Sequence, residues 1–166
     1  MTRLFSAGKV ITLLLAAIGG VFGWFHKDSP SERASFRCEV VGVADGDTFS
    51  CLYGKQATTV RLYGIDAPEK KQAFGKESKQ YLSSLIFRKT VTVSSYGHDR
   101  YGRTLGLVYV DGQAVNHDMV AAGYAWVYRQ YSHDPSLVRA EETARAGKAG
   151  LWSDPHPINP ADFRHR

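Results

Sequence analysis

FRCEVVGVADGDTFSCLYGKQATTVRLYGI, residues Phe36–Ile65, decides the architecture. Phe36–Ala44, Thr48–Tyr53 and Thr58–Ile65 are short runs rich in β-branched and aromatic residues, parted by Asp45-Gly46 and Gly54-Lys55. Such runs between turn residues predict three strands joined by hairpins. Downstream the period changes. In Gln72–Phe87, residues Phe74, Tyr81, Leu82, Leu85 and Ile86 fall on one helical stripe, with Lys76, Glu77, Lys79 and Gln80 largely on the other face. Thr90–Ser95 and Arg103–Val110 alternate again, and Asp111-Gly112 closes that second strand pair. Val115–Ala122 reads as a short helix stopped by Gly123. Asp134-Pro135 opens the last helix, with Asp as cap and Pro at its first position, and Ala-rich turns carry it to Lys148. Five strands with one helix between the third and fourth, then trailing helices, predict an α+β fold: a five-stranded Greek-key β-barrel of the OB type with three helices.

The rest of the chain sets the boundaries. Its 166 residues are 43% hydrophobic and 22% charged, enough apolar material for one cored domain and far from a disordered composition. Lys and Arg number 21 against 16 Asp and Glu, a net charge of +5 that favours anionic partners without naming one. Met1–Lys9 carries Arg3 and Lys9 and no acid, and Val10–Phe25 is uncharged and mostly apolar. A positive segment before an apolar one predicts an export signal, cleaved or kept as an anchor associating residues 10–25 with a membrane. Either outcome makes the protein exported, secreted or periplasmic. Residues 1–25 are therefore set apart, 26–35 read as a polar linker, 36–152 as the domain, and 153–166 as a Pro-rich, irregular tail. The two cysteines exclude a disulfide-dense scaffold, and the absence of C-x-x-C, H-E-x-x-H and G-x-x-x-x-G-K-[ST] removes zinc, haem and P-loop chemistry. Cys38 and Cys51 flank the Asp45-Gly46 turn, so a hairpin brings them to neighbouring strands. Register decides between a disulfide and two buried thiols, and the sequence leaves that open.

Each polar motif taken alone has an ordinary reading. Asp45-Gly46-Asp47-Thr48 is a hairpin signal, and Asp66-Ala67-Pro68-Glu69 is a turn with a Pro-fixed backbone. Arg61 alternates to the face opposite Val60 and Leu62, where a strand arginine is ordinarily a solvated charge. Asp99-Arg100-Tyr101-Gly102-Arg103 suits a polar hairpin loop. Their joint occurrence carries more. In a five-stranded barrel the turn after the first strand, the end of the third and the loop before the fifth can converge. That would gather Asp47, Asp66 and Glu69 with Arg61 and Arg103. Carboxylates suit a hard divalent cation, and planar guanidinium forks suit phosphate oxygens; phosphodiester cleavage needs both.

The ordered set DGDT (45–48), VRLYGIDAPE (60–69) and DRYGR (99–103), followed by DGQAVNHDMVAAGYAWVY (111–128) and GLW (150–152), resembles the staphylococcal nuclease family over Cys38–Trp152. The ending around Pro160–Arg164 resembles that of bacterial members. The resemblance implies Ca²⁺ as cofactor, DNA and RNA as substrates cut with little sequence preference, and no protein partner. It matches Asp47 and Asp66 to the Ca²⁺-binding aspartates, with Ala67 contributing a backbone carbonyl. Arg61 and Arg103 match the phosphate-clamping arginines, and Glu69 the carboxylate acting on the attacking water. Tyr101 matches a tyrosine near the nucleotide, Arg100 stands at a usually basic position, and Tyr131 competes with Tyr128 and Arg129 for a second nucleotide contact. The segment from Glu69 to Gly75 is shorter than in the best-known member.

Two rival classes make different demands. A non-catalytic OB module binding nucleic acid or protein would be expected to have lost part of the catalytic set, and here all five residues stand. A metallonuclease using His98 or His133 as base would need a paired spacing, and the six histidines are scattered.

Overall fold

Alternation along β1 (Ser35–Val43), β2 (Thr48–Tyr53) and β3 (Gln56–Leu62) sends Cys38, Val40, Phe49, Cys51, Val60 and Leu62 inward, so the three strands curl round one core. In this computed structural model residues 34–165 are described; the predicted export segment 1–25 and nearly all of the linker 26–35 lie outside them. Strand β1 begins at Ser35, the last residue assigned to that linker. β1 pairs antiparallel with β2 and with β5 (Thr90–His98), and β2 with β3. β5 pairs antiparallel with β6 (Thr104–Val110), whose parallel pairing to β3 closes the barrel. The closing register is Val60 with Thr104, Arg61 with Leu105 and Leu62 with Gly106. The predicted barrel is the one observed.

Helices cover it. α1 (Gly75–Ile86) contributes Leu82 and Ile86 to the core, and α2 (Val115–Ala121) contributes Val115, Met119 and Val120. Each such fully buried side chain is worth about 1.5–3 kcal/mol of transfer free energy. Asn116 of α2 is buried, accepts from the Val108 N–H at 2.9 Å, and donates to the Tyr63 and Gly106 carbonyls. That side chain staples α2 to the seam between β3 and β6. α3 (Pro135–Ala146) starts on Asp134, whose carboxylate accepts from the Ser136 N–H, as the Asp-Pro pair predicts.

Three local differences from the sequence reading affect the site. The third predicted strand, Thr58–Ile65, is split at Tyr63-Gly64, where Gly64 takes a φ of +78°. Beyond this turn β4 (Ile65–Asp66) leaves the barrel and pairs with β8 (Trp126–Val127), which follows β7 (Gln113–Ala114) and α2. Helix α1 starts at Gly75 rather than Gln72, because Phe74 at φ 64° interrupts the helical backbone. A short 3₁₀ turn, Gly150–Ser153, ends the domain, and the tail is not irregular: a helix, α4, covers Pro160–Arg164. Asn159 caps that helix and Pro160 takes its first turn, the same Asx-Pro start as at α3.

Cys38 and Cys51 are bonded, with Cα atoms 5.6 Å apart across the β1–β2 hairpin. No helix among the described residues is long and apolar enough to cross a membrane.

Candidate active site

The DGD turn sets the first carboxylate. The Asp45 carboxylate accepts from the Asp47 N–H at 3.1 Å, and the Ala44 N–H closes the turn on the Thr48 carbonyl at 2.9 Å. Gly46 sits against both helix α1 and the Asp66–Glu69 turn. A Cβ there would overlap the Ser78 side chain and lie 2.8 Å from Ala67 Cβ. The Asp47 carbonyl accepts from the Leu62 N–H at 2.8 Å, locking the turn to the end of β3.

β3 then presents Arg61 on the face opposite its core residues, and the β4–β8 pair presents Asp66. Beneath β8, the buried Glu141 accepts from the Val127 N–H at 2.9 Å and from Arg129 at 2.7 Å, so Asp66 rests on a braced strand. Arg61 lies between the carboxylates: Nη1 donates to Asp47 Oδ1 and Nη2 to Asp66 Oδ1, each at 2.7 Å. Thr48 Oγ1 also donates to Asp47 Oδ1 at 2.9 Å, and the Ala67 N–H donates to Oδ2 at 3.0 Å. Both aspartates are nearly sealed from water, at 3% and 2% exposure. Burial, opposed by Arg61, pushes the Asp47 carboxyl up to about 7. Burial works against the Arg61 charge too, but Asp47 and Asp66 outweigh it and hold the guanidinium above its usual value.

The sequence reading missed Arg164. Delivered by α4, its Nη1 reaches Glu69 Oε1 at 2.7 Å and Asp66 Oδ1 at 3.1 Å, while Nη2 reaches Asp66 Oδ2 at 2.8 Å. These bonds, chiefly those to Asp66, hold its guanidinium above its ordinary value. Gln72, at 8% exposure, was missed as well. Its Oε1 accepts from the Glu69 N–H at 3.0 Å and its Nε2 donates to the Ile158 carbonyl at 2.6 Å. The sequence had pointed to this segment only through the likeness of Pro160–Arg164 to the ending of bacterial members, and the Asn159-Pro160 helix start was read as irregular tail.

Asp47, Arg61, Asp66, Ala67 and Glu69 are thus neighbours, as expected. Arg103 stands apart from them. On the β5–β6 loop it is held by Asp99, with Nε and Nη2 both 2.7 Å from Oδ2. Burial works to raise the Asp99 carboxyl, but those bonds, with the Arg103 and Tyr101 N–H groups donating to Oδ1, hold it below its usual range. Arg103 lies two residues before Leu105, the partner of Arg61, and so shares the Arg61 face of the sheet. Tyr101 is 68% exposed with Arg100 and Arg103 stacked on its ring at 4.9 and 5.4 Å. Tyr131, 54% exposed, packs its ring edge-on to Tyr128, and its carbonyl accepts from the Tyr63 hydroxyl at 2.7 Å. A groove of about 540 Å³ borders Arg103, Tyr101, His98, Phe36 and Tyr53 rather than the carboxylates.

The donor set fits a hard divalent cation. Asp47 Oδ1 and Asp66 Oδ1 each accept two hydrogen bonds, whereas each Oδ2 accepts one and keeps acceptor capacity. The Ala67 carbonyl accepts none among the described residues. No group of three or more His, Cys, Asp or Glu side chains converges as a full cage among those residues. Two carboxylates and a carbonyl would be the protein's share of such a site, which would keep positions for water and phosphate.

Comparison with known proteins accords with this geometry. Residues 59–154 match the family described as staphylococcal nuclease homologue. A Haemophilus influenzae protein described as an uncharacterized endonuclease is 48% identical, over 83% of this chain and 78% of its own. One from Escherichia coli O157:H7 with the same description is 48% identical over 88% of this chain and 93% of its own. A Shigella flexneri protein named micrococcal nuclease is 45% identical over 79% and 82% respectively. With Asp47, Arg61, Asp66 and Glu69 gathered in one cluster and these relatives matched over most of their length, the chain belongs to the staphylococcal nuclease family.

Proposed function

We propose that this nuclease hydrolyses phosphodiester bonds of DNA and RNA with Ca²⁺ as its metal. The observation that carries the reading is Arg61 bonded to both buried aspartates, with Glu69 joined to the same cluster through Arg164. Asp47, Asp66 and the Ala67 carbonyl would hold the metal, which supplies positive charge beside a phosphoryl oxygen. Glu69 takes a proton from the attacking water, whose oxygen forms the new P–O bond as the ester P–O bond opposite it breaks. Arg61, and Arg103 released from Asp99, bind the non-bridging oxygens, which carry more charge in the transition state than in the substrate. Arg100 and Tyr101 flank that clamp, where an exposed ring suits a base or sugar. Tyr131 is a second such surface near β4.

We also propose that the protein is exported through residues 1–25. The Cys38–Cys51 bond supports this, since disulfides persist in oxidising compartments.

Incubation of the purified full-length protein with plasmid DNA and with RNA, in Ca²⁺ and then in EGTA, tests the reading. Both polymers are degraded in Ca²⁺ and spared in EGTA. Full activity in EGTA would remove the metal from the mechanism, and no cleavage in either would leave only a binding barrel.

A further inference from the structure

Glu69 is held at both ends by one C-terminal segment. Its backbone N–H donates to Gln72, and the same Gln72 amide donates to the Ile158 carbonyl six residues before Arg164. Its carboxylate accepts from Arg164, and Oε1 takes that bond, while Oε2 meets no protein donor among the described residues. A glutamate side chain with three rotatable bonds and partial exposure has many orientations open to it, and the charge-assisted bond selects one. Arg164 also takes both oxygens of Asp66, so the guanidinium fixes Glu69 relative to the second carboxylate of the cluster. The fork geometry needed for three such bonds is a property of arginine and not of lysine.

We propose that Arg164 is a positioning residue for the reaction. It commits Glu69 Oε1 to the guanidinium and turns Oε2 toward the place of the attacking water. This rests on the reading of Glu69 as the water-activating carboxylate.

The test is a double-mutant cycle in the full-length protein: Arg164→Gln, Glu69→Gln and the pair, with Arg164→Lys as the conservative variant. Turnover and KM are measured on single-stranded DNA in saturating Ca²⁺, and thermal unfolding confirms that each variant is folded. Arg164→Gln lowers kcat by about 10²-fold, the usual penalty for misplacing a reacting group, and moves KM by less than about threefold. In the Glu69→Gln background the same change costs less than about threefold, because there is no base left to aim. Arg164→Lys recovers part of the loss. A folded Arg164→Gln protein at the parent rate overturns the proposal, as does an equal loss in both backgrounds, which would mean a structural or direct phosphate role. Glu69→Gln at the parent rate overturns both the proposal and the reading of Glu69. A parent that does not cleave overturns the nuclease mechanism itself.

Discussion

Titrating the metal-free protein from pH 4 to pH 8 in a chelator reads the surroundings of Asp47. Its carboxyl is raised by burial, lowered by Arg61, raised by Asp45, lowered by the Ala67 N–H and raised by Asp66, and settles at about 7 against an ordinary 3.8. A carboxyl raised in the folded state keeps a proton that the unfolded chain has already released. Between those two values the unfolded state binds fewer protons, so stability falls as pH rises, beginning near 4 and ending near 7. The difference, 7 − 3.8, is about three units, and at about 1.4 kcal/mol per unit the loss is on the order of 4 kcal/mol. That is a large share of the 5–15 kcal/mol typical of a whole domain, so on the order of 4 kcal/mol is readily resolved. Asp99 and Asp134, whose carboxyls are lowered, act with the opposite sign and only in more acid solution: their stabilisation is present above the ordinary carboxyl value and fades below it. Urea unfolding across the window in EDTA measures the slope. Asp47→Asn removes the titrating group, at the cost of the Arg61 charge pair and the bond from the Ala67 N–H, and flattens the slope. Saturating Ca²⁺ flattens it in the parent, since a cation on the carboxylates favours their ionised form. A parent whose stability is level or rising from pH 4 to 7 in EDTA, or an Asp47→Asn protein with the parent's slope, would refute the account of the buried cluster.

Three further outcomes are expected. Arg61→Lys and Arg103→Lys keep the charge but lose the fork, and each lowers single-turnover cleavage by roughly 10²–10³-fold with the fold intact; parent-like rates would dismiss the clamp. Reducing the Cys38–Cys51 bond, which spans 13 residues, removes about 3 kcal/mol, seen as a lower urea midpoint in dithiothreitol, and identical midpoints would count against it. Gly46→Ala forces a methyl into Ser78 and Ala67 and costs about 1–3 kcal/mol together with activity, whereas Gly42→Ala meets nothing within 4 Å and serves as the neutral control; equal behaviour of the two would contradict the close packing.

The barrel was legible because each strand advertised itself locally. Val60 and Leu62 alternate with Arg61, and Asp45-Gly46 and Gly54-Lys55 punctuate the hairpins. The split of the third strand was not legible, because Tyr63-Gly64 reads as a continuation of the run until β8 is there to draw Ile65 and Asp66 away. Within the site, Asp47, Arg61, Asp66 and Glu69 sit on motifs whose spacing is short. Arg164 lies 98 residues from Asp66 and 95 from Glu69, and no periodicity links such distant positions. The tail's prolines argued for irregular chain, but Pro160 follows an Asn cap and so begins a helix instead of preventing one. Gln72 was assigned to the helix, and only the left-handed Phe74 frees it to brace Glu69.

The parallel seam between β3 and β6 gives the fold a means of rejecting its own errors. Arg61 owes its outward direction to a period of two, so a slip of β3 by one residue would drive its guanidinium into the apolar interior and expel Val60 and Leu62. A slip of β6 would misplace Arg103 and at once bring a larger side chain to Gly106, where even a Cβ would lie 2.6 Å from Val93. Misaligned barrels are therefore unstable before they are inactive. Along these two strands a mutational scan should yield few proteins that are well folded yet have the arginines out of line, because the same packing that holds the barrel closed inspects the alignment of its charges.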